Sequence, residues 1–230
     1  MILKENRGRA IVWFRKDLRI LDNPCLDFAL RAGKEIIPVF IWDKNEGGQW
    51  SPGATSRWWL RNTLDSLRSS FEELGGKLIF RTGKAEKILP MVVSETNPDS
   101  VYFSRVYDPA GLVTQNSVEN ALEKKGIAVY SFNASLLNEP WEIKNGTGRP
   151  FQVFTPYWKV SRGGIHREPA SYKPSDISFA NEPIQSQRLE ELDLLPNHPW
   201  PEKLSEHWNV SEAAGHELIA QTAEVLTRSY

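Results

Sequence analysis

The chain has 230 residues, with 28 lysines and arginines against 29 aspartates and glutamates, and a formal net charge of −1. Its 40% apolar and 25% charged residues are typical of a globular protein with enough apolar material for a sizeable core. The balanced charge excludes a surface that is basic throughout, so we expect nucleic-acid binding by this chain to be weak or absent.

Short apolar runs alternate with helical patterns over the first 130 residues. The runs predict five β-strands, at residues 9–14, 35–43, 77–81, 100–104 and 127–132. The clearest helical pattern between them consists of Leu60, Leu64, Leu67, Phe71 and Leu74, at intervals of four and three. Alternating strands and helices pair in parallel, so we expect an α/β fold with a doubly wound, Rossmann-like sheet in the order 3-2-1-4-5.

Local signals set the expected helix ends. Asp22 is expected to cap the first helix, and Gly33 to end it. Pro90 is expected to distort or divide the third helix. The fourth helix is expected to start after Pro109 and to reach about Lys125.

The carboxyl ends of strands 1 and 4 mark the expected ligand crevice, because doubly wound sheets bind ligands where the strand order reverses. The segments that leave these ends are residues 15–19 (RKDLR) and 105–109 (RVYDP). In one interpretation Asp17 pairs with Arg15 or Arg19 and pins the turn. In the other, the cations hold an anionic or polar ligand.

Motifs for self-contained catalysis are absent from the sequence. It contains no G-x-G-x-x-G after strand 1, no G-x-x-x-x-G-K-[ST] and no G-x-S-x-G. Its four histidines lack cysteine partners and metal-ligand spacing, so we expect no metal site. Cys25 is the single cysteine, and no signal sequence or spanning segment is visible, so we expect a cytoplasmic protein.

The last third of the chain has a different character. Prolines interrupt a polar stretch that we interpret as a linker over residues 161–209, after an α/β domain at 1–160. Residues 210–230 predict one amphipathic helix. A single helix cannot bury its own apolar face, so it must dock on this domain, on another chain or on a further domain.

Four segments resemble the amino-terminal domain of the DNA photolyase/cryptochrome family. They are IVWFRKDLRILDNPCL, VFIWDKNEGGQWSPGATSRWWLRNTLDSL, VYFSRVYDP and SFNASLLNEPWEIKNGTGRPFQVFTPYWK, and they occur in the family's order. The resemblance covers about residues 9–159 and is closest to the branch of plant cryptochromes and their related bacterial photolyases.

The resemblance implies a larger helical domain that holds FAD, the lesion-binding cavity and the tryptophans that photoreduce the flavin. In that family light excites the flavin, an electron passes to a pyrimidine dimer, the dimer splits and the electron returns. Residues 210–230 resemble the first helix of that domain, with His216 where glutamate is usual. We therefore expect a truncated or stand-alone antenna domain without catalytic residues, and we do not expect FAD to bind this chain alone.

The resemblance also implies a second, light-harvesting chromophore in the α/β domain. The residues expected to line its crevice are Arg15, Phe40, Ile41, Trp42, Asp43, Arg57, Tyr107 and Asp108. Folate-binding bacterial members have an Asn-Glu pair where this chain has Ala110 and Gly111. A deazaflavin, a flavin, a folate held differently and an empty site therefore all stay open.

We interpret the chain as the antenna-chromophore domain of a blue-light DNA photolyase or cryptochrome, unable to repair DNA alone. A partner with the helical FAD domain would supply the repair activity. The alternative is a non-catalytic interaction module that keeps the fold without a chromophore. Such a module would bind a partner, or a second copy, through its last helix.

Overall fold

The fold is a five-stranded parallel sheet with helices on both faces, seen in a computed structural model that describes residues 8–163, 169–195 and 201–228. The strands are β1 (Arg9–Phe14), β2 (Glu35–Trp42), β3 (Ile79–Thr82), β4 (Ser100–Ser104) and β5 (Ala128–Phe132). They lie in the order β3-β2-β1-β4-β5, and all neighbouring pairs are parallel. The predicted fold class and strand order are confirmed.

Seven α-helices accompany the sheet in the described part of the chain. They are α1 (Pro24–Arg31), α2 (Ala54–Glu73), α3 (Ala85–Thr96), α4 (Pro109–Glu123), α5 (Phe154–Ser161), α6 (Pro201–Ser205) and α7 (Glu212–Arg228). Alternate residues of β1 serve two cores: Val12 and Phe14 pack with α1 and α2, whereas Ile11 and Trp13 pack with α3 and α4. Because both faces of β1, β2 and β4 are buried, these strands are mainly apolar, whereas the edge strand β5 is partly exposed.

The structure corrects one expected helix feature and part of a second. Asn23, and not Asp22, is the N-cap of α1: its side-chain oxygen accepts the N–H groups of Cys25 and Leu26. Asp22 lies one residue outside with φ +49° and accepts the N–H of Ala170. Pro90 lies inside α3 without dividing it, because buried side chains before and after it hold both halves on the sheet.

Residues 169–195, named the strap below, pack along the α/β domain although their composition predicts a linker. Ile36 donates to Ser178 and accepts from Ala180, which adds a parallel bridge beside β2. The apolar side chains Ile177, Leu189, Leu192 and Leu194 are each at most 7% exposed in the core of α1 and α2. The domain boundaries at residues 160 and 209 stay predictions.

Helix α7 is exposed along most of its length. Its large apolar side chains Leu218, Ile219, Val225 and Leu226 are each more than half exposed. In the described part of the chain, no helix is long and apolar enough to cross a membrane.

Candidate functional site

A crevice of about 520 Å³ opens at the carboxyl ends of β1 and β2. Its walls are mainly apolar and include Phe14, Phe40, Ile41, Trp42, Trp59 and Leu60. The turn at residues 15–19 forms one side, and the loop between β2 and α2 contributes Glu46 and Pro52 on another. The crevice lies on the β2 side of β1, whereas the topology predicts a ligand between the exits of β1 and β4, where the strand order reverses.

Arg15 is the buried cation of the crevice. Its side chain is 5% exposed, with the guanidinium carbon 4.5 Å from the centre of the Trp13 ring. Its Nη2 donates to the carbonyl of Gly111 at 3.3 Å and lies 3.6 Å from Glu46. Burial lowers the pKa of Arg15, against the opposing charges of nearby carboxylates.

One nitrogen of the Arg15 guanidinium has no hydrogen-bond acceptor among the described residues. This nitrogen, Nη1, is buried. A buried unpaired donor costs roughly 1–3 kcal/mol, so an acceptor atom supplied by a ligand would stabilise this arrangement.

The charged turn itself is held by local hydrogen bonds. The Asp17 carboxylate accepts hydrogen bonds from the backbone N–H of Arg15 and from the side-chain amide of Asn23. It forms no ion pair with the side chain of Arg15 or Arg19 in the described part of the chain. Arg19 donates to the carbonyls of Asp22 and Ala134. The interpretation that Asp17 and Arg19 hold the turn is confirmed, while the expected pairing of Asp17 with arginine side chains is wrong.

Tyr107 and Asp108 line an adjoining cavity of about 310 Å³, which shares Lys16 and Val106 with the crevice. Asp108 accepts from Lys16 Nζ at 2.7 Å and, as the N-cap of α4, from the N–H of Gly111 at 2.8 Å. Burial alone would raise the pKa of Asp108, but these hydrogen bonds outweigh it and hold the pKa below its usual value. The Lys16 contact ties the exits of β1 and β4 together.

The Tyr107 hydroxyl is committed to a buried carboxylate. Glu139, 6% exposed, accepts from Tyr107 at 2.6 Å and from Arg105 through both of its oxygens, at 2.6 and 3.0 Å. Burial, followed by the hydrogen bond to Glu139, raises the pKa of Tyr107 to about 12. This network fixes the segment after β5 against the exit of β4.

The residues expected to bind a ligand thus fall into three groups. Arg15, Phe40, Ile41 and Trp42 line the crevice, and Tyr107 and Asp108 line its neighbour. Asp43 and Arg57 line neither cavity: Asp43 accepts from the N–H of Asn45, and Arg57 lies in the first turn of α2 with its Nε buried. The ligand role of all eight residues stays a prediction.

Two residues that line the crevice, Trp59 and Glu46, were not predicted from the sequence. Trp58 and Trp59 are adjacent on α2, and the structure buries Trp58 at 3% exposure while Trp59, at 44%, lines the crevice. Glu46 lies in an irregular loop without a periodic pattern. The helical phase of Leu60 and Leu64 relative to Trp59 is the signal that could have identified the tryptophan.

Ala110 and Gly111, which follow Tyr107 and Asp108, offer no polar side chain. A Cβ on Gly111 would lie 2.2 Å from a methyl carbon of Val106, so this close packing requires glycine. Among the described residues, no group of three or more histidine, cysteine, aspartate or glutamate side chains could hold a metal ion. His166 and His198 lie outside the described residues.

Sequence comparisons place these features among known proteins. The family model described as DNA photolyase matches residues 10–174. Deoxyribodipyrimidine photo-lyase of Agrobacterium fabrum is 37% identical over 222 residues, which is 96% of this chain and 46% of that protein. Cryptochrome-1 of Arabidopsis thaliana is 46% identical over 154 residues, which is 66% of this chain and 22% of that protein. The chain spans less than half the length of either relative.

Solved structures of photolyases and cryptochromes share the fold of this chain. A bacterial class III photolyase of Agrobacterium tumefaciens superposes with a TM-score of 0.78 at 37% identity, over 88% of this chain and 42% of that chain. A cryptochrome of Synechocystis gives a TM-score of 0.68 at 23% identity, over 82% and 40%. The second likeness concerns the fold alone.

Proposed function

Because the chain belongs to the DNA photolyase family and corresponds to its amino-terminal α/β domain, we propose that it binds a light-absorbing antenna chromophore in the crevice at the ends of β1 and β2. In this family the amino-terminal domain is the antenna-binding domain. The observation that carries the proposal is an aromatic crevice of about 520 Å³ whose lining includes the buried Arg15 side chain.

The residues fit such a group. The planar rings of Trp42, Trp59 and Phe40 give a conjugated chromophore apolar surface to pack against. Arg15 supplies the donor for a carbonyl or ring-nitrogen acceptor, and Glu46 supplies a carboxylate for a ring N–H. When bound, the chromophore would supply light absorption, and the protein would supply its position and its shielding from water.

A flavin, a deazaflavin and a folate all carry a planar ring with such acceptors. A folate would have to bind in this crevice without the polar pair of other family members, since Ala110 and Gly111 offer no side-chain donor or acceptor. FAD of the kind that drives repair is not expected to bind this chain alone.

The absorption spectrum of the chain as purified, with the released pigment identified by mass, tests the proposal. We expect a band between the near ultraviolet and the blue. A colourless chain that also fails to bind added riboflavin, deazaflavin and 5,10-methenyltetrahydrofolate would contradict the proposal and leave the family assignment intact.

Repair itself is proposed to need a helical FAD-binding partner. The chain matches 46% of the length of the Agrobacterium photolyase, and its net charge of −1 gives little attraction for DNA. Under blue light, the chain alone should leave pyrimidine dimers in an oligonucleotide intact. Dimer splitting by the chain without a partner would contradict this part of the proposal.

The exposed face of α7 favours a second candidate function, an interaction module without a chromophore. Four large apolar side chains of α7 are each more than half exposed, which is the property of a docking surface for a helical partner or for a second copy. Sedimentation velocity over a concentration series tests self-association. A chain that stays monomeric alone and does not bind the helical partner when it is added would contradict the interaction module.

A further inference from the structure

Trp208, just before α7, and Glu212, its first residue, contact two different elements that border the crevice. The Trp208 ring packs edge-on against Trp59, with the ring centres 5.6 Å apart, and Trp59 lines the crevice. Four residues later, the Glu212 carboxylate accepts the backbone N–H of Ile20 at 2.8 Å and of Leu21 at 2.7 Å. Ile20 follows directly on the turn at residues 15–19, which forms the opposite wall.

These two contacts, named the anchor below, have different chemistry and reach different elements. Trp208 reaches α2, which carries Trp59, and Glu212 reaches the segment between β1 and α1. The Glu212 side chain is 17% exposed, so its two hydrogen bonds lie largely out of water, where charge-assisted bonds are strongest. The anchor therefore joins both sides of the crevice through one short piece of chain.

The packing around the anchor leaves room for movement. A polar cavity of about 680 Å³ lies between α2 and residues 205–211, lined by Asn62 and Asp65 on one side and His207 on the other. Beyond the anchor, α7 presents Leu218 and Leu226 to solvent. The two anchor contacts thus help to set the position of α7 on the α/β domain.

We propose that Trp208 and Glu212 couple occupancy of the crevice to the docking of α7. This inference rests on the proposed chromophore site and adds a regulation of that site. A planar ligand in the crevice would pack on Trp59 and restrict the turn at residues 15–19, which are the surfaces that hold the anchor. Coupling between two sites is reciprocal, so a firmly docked α7 must also tighten ligand binding by the same factor.

The consequence concerns what the protein offers to a partner. With the crevice filled, α7 is held in one position and its apolar face is presented in a fixed direction. With the crevice empty, the anchor is weaker and α7 samples more positions. The ligand state of the domain is thereby reported at a helix whose apolar side chains face solvent.

Two measurements on the full chain test the coupling. Amide hydrogen exchange of residues 212–228 is compared with and without a saturating probe, either riboflavin or 5,10-methenyltetrahydrofolate. The Kd of the same probe is then measured for wild type, Trp208→Ala, Glu212→Ala and Glu212→Gln. We expect the probe to slow exchange in α7 of the wild type, and each alanine variant to raise the Kd about 5-fold.

Matched controls separate the anchor from general effects. Glu212→Gln keeps one acceptor oxygen, so its Kd should fall between those of wild type and Glu212→Ala. Glu217→Gln removes a carboxylate from the same helix, and Trp50→Ala removes a tryptophan that is 83% exposed. Both controls should keep the wild-type Kd and the wild-type response of α7 to the probe.

The outcomes are distinct. Probe binding with unchanged exchange in α7, or with the same Kd in both alanine variants, overturns the coupling and leaves the chromophore site standing. Failure of riboflavin, 5,10-methenyltetrahydrofolate and deazaflavin alike to bind the wild-type chain overturns the coupling together with the proposed site.

Discussion

The strap and α7 have opposite relations between sequence pattern and packing. The strap is polar and interrupted by Pro174 and Pro183, with little apolar periodicity, yet it buries Leu189, Leu192 and Leu194 in the main core. Helix α7 has clear helical periodicity and leaves its largest apolar side chains exposed.

The difference shows that periodicity reports local structure and not burial. An irregular segment can dock through a few well-placed leucines, provided that its backbone groups find partners, as Ile36 gives to Ser178 and Ala180. Helix α7 is regular, yet Leu218, Ile219, Val225 and Leu226 are each more than half exposed. Stability should therefore depend on the strap far more than on α7.

The largest expected effect is at the buried strap leucines. Leu192 is 2% exposed, and Leu192→Ala should lower the free energy of unfolding by about 3 kcal/mol, because it leaves a cavity in the core. Leu226 is 54% exposed, and Leu226→Ala should change it by less than about 0.5 kcal/mol. Urea unfolding of both variants measures the contrast, and equal effects would break the comparison.

Glycine-to-alanine substitutions should change the stability by smaller amounts, with opposite signs at the strap and in α7. A Cβ at Gly76 would lie 2.5 Å from the ring of Phe179 in the strap, so Gly76→Ala should destabilise the protein by about 2 kcal/mol. A Cβ at Gly215 in α7 meets nothing within 4 Å, so Gly215→Ala should stabilise the helix by about 0.5–1 kcal/mol. Thermal unfolding tests the first change, and amide exchange in α7 tests the second. A stabilising Gly76→Ala would show that Phe179 and the strap can move aside without loss of stability, which would contradict the expected steric clash.

The smallest effect concerns the polar end of the strap. The Tyr172 hydroxyl donates to the carbonyl of Ile20 and accepts from the N–H of Asn23, so Tyr172→Phe should cost about 1 kcal/mol at neutral pH.

Burial raises the pKa of Tyr172 above its ordinary value of 10.0. A pKa that folding raises adds stability below the unfolded value and loses it as the pH rises through the folded value. The stability difference between wild type and Tyr172→Phe should therefore be constant up to about pH 10 and shrink above it. Tyr130→Phe, at an exposed position of β5, serves as the control. A difference that grows above pH 10 would contradict the assigned protonation.

The sheet was predictable because its central strands β1, β2 and β4 are buried on both faces and so read as short, mainly apolar runs. Helix ends were less predictable: Asp22 and Asn23 are both good capping residues, and the structure uses Asn23 as the N-cap and Asp22 for a contact with Ala170. The docking of the strap depends on long-range contacts, such as Gln187 with Phe80, that leave no periodic trace in the sequence.

For the candidate site, topology alone brought Arg15 and the end of β2 together, since parallel strands end at one edge. The pairing of Tyr107 with Glu139 was out of reach, because the two residues are separated by an irregular path through β5 and its following loop. The place of Trp59 in the crevice depends on how α2 is rotated against the sheet. That rotation could be inferred from the helical phase of Leu60 and Leu64 relative to Trp59.

The most direct measurement of the central claim is probe binding to a chain whose crevice has been filled. Thr63 lines the crevice, whereas Glu73, at the end of the same helix α2, is exposed and lines neither the crevice nor the cavity beside residues 205–211. We predict that Thr63→Trp raises the Kd for the chromophore found in the purified chain, or for added riboflavin or 5,10-methenyltetrahydrofolate, at least about tenfold, or 1.4 kcal/mol. Glu73→Trp should leave the Kd unchanged. Wild-type affinity in a folded Thr63→Trp variant would contradict the claim that the chromophore binds in this crevice.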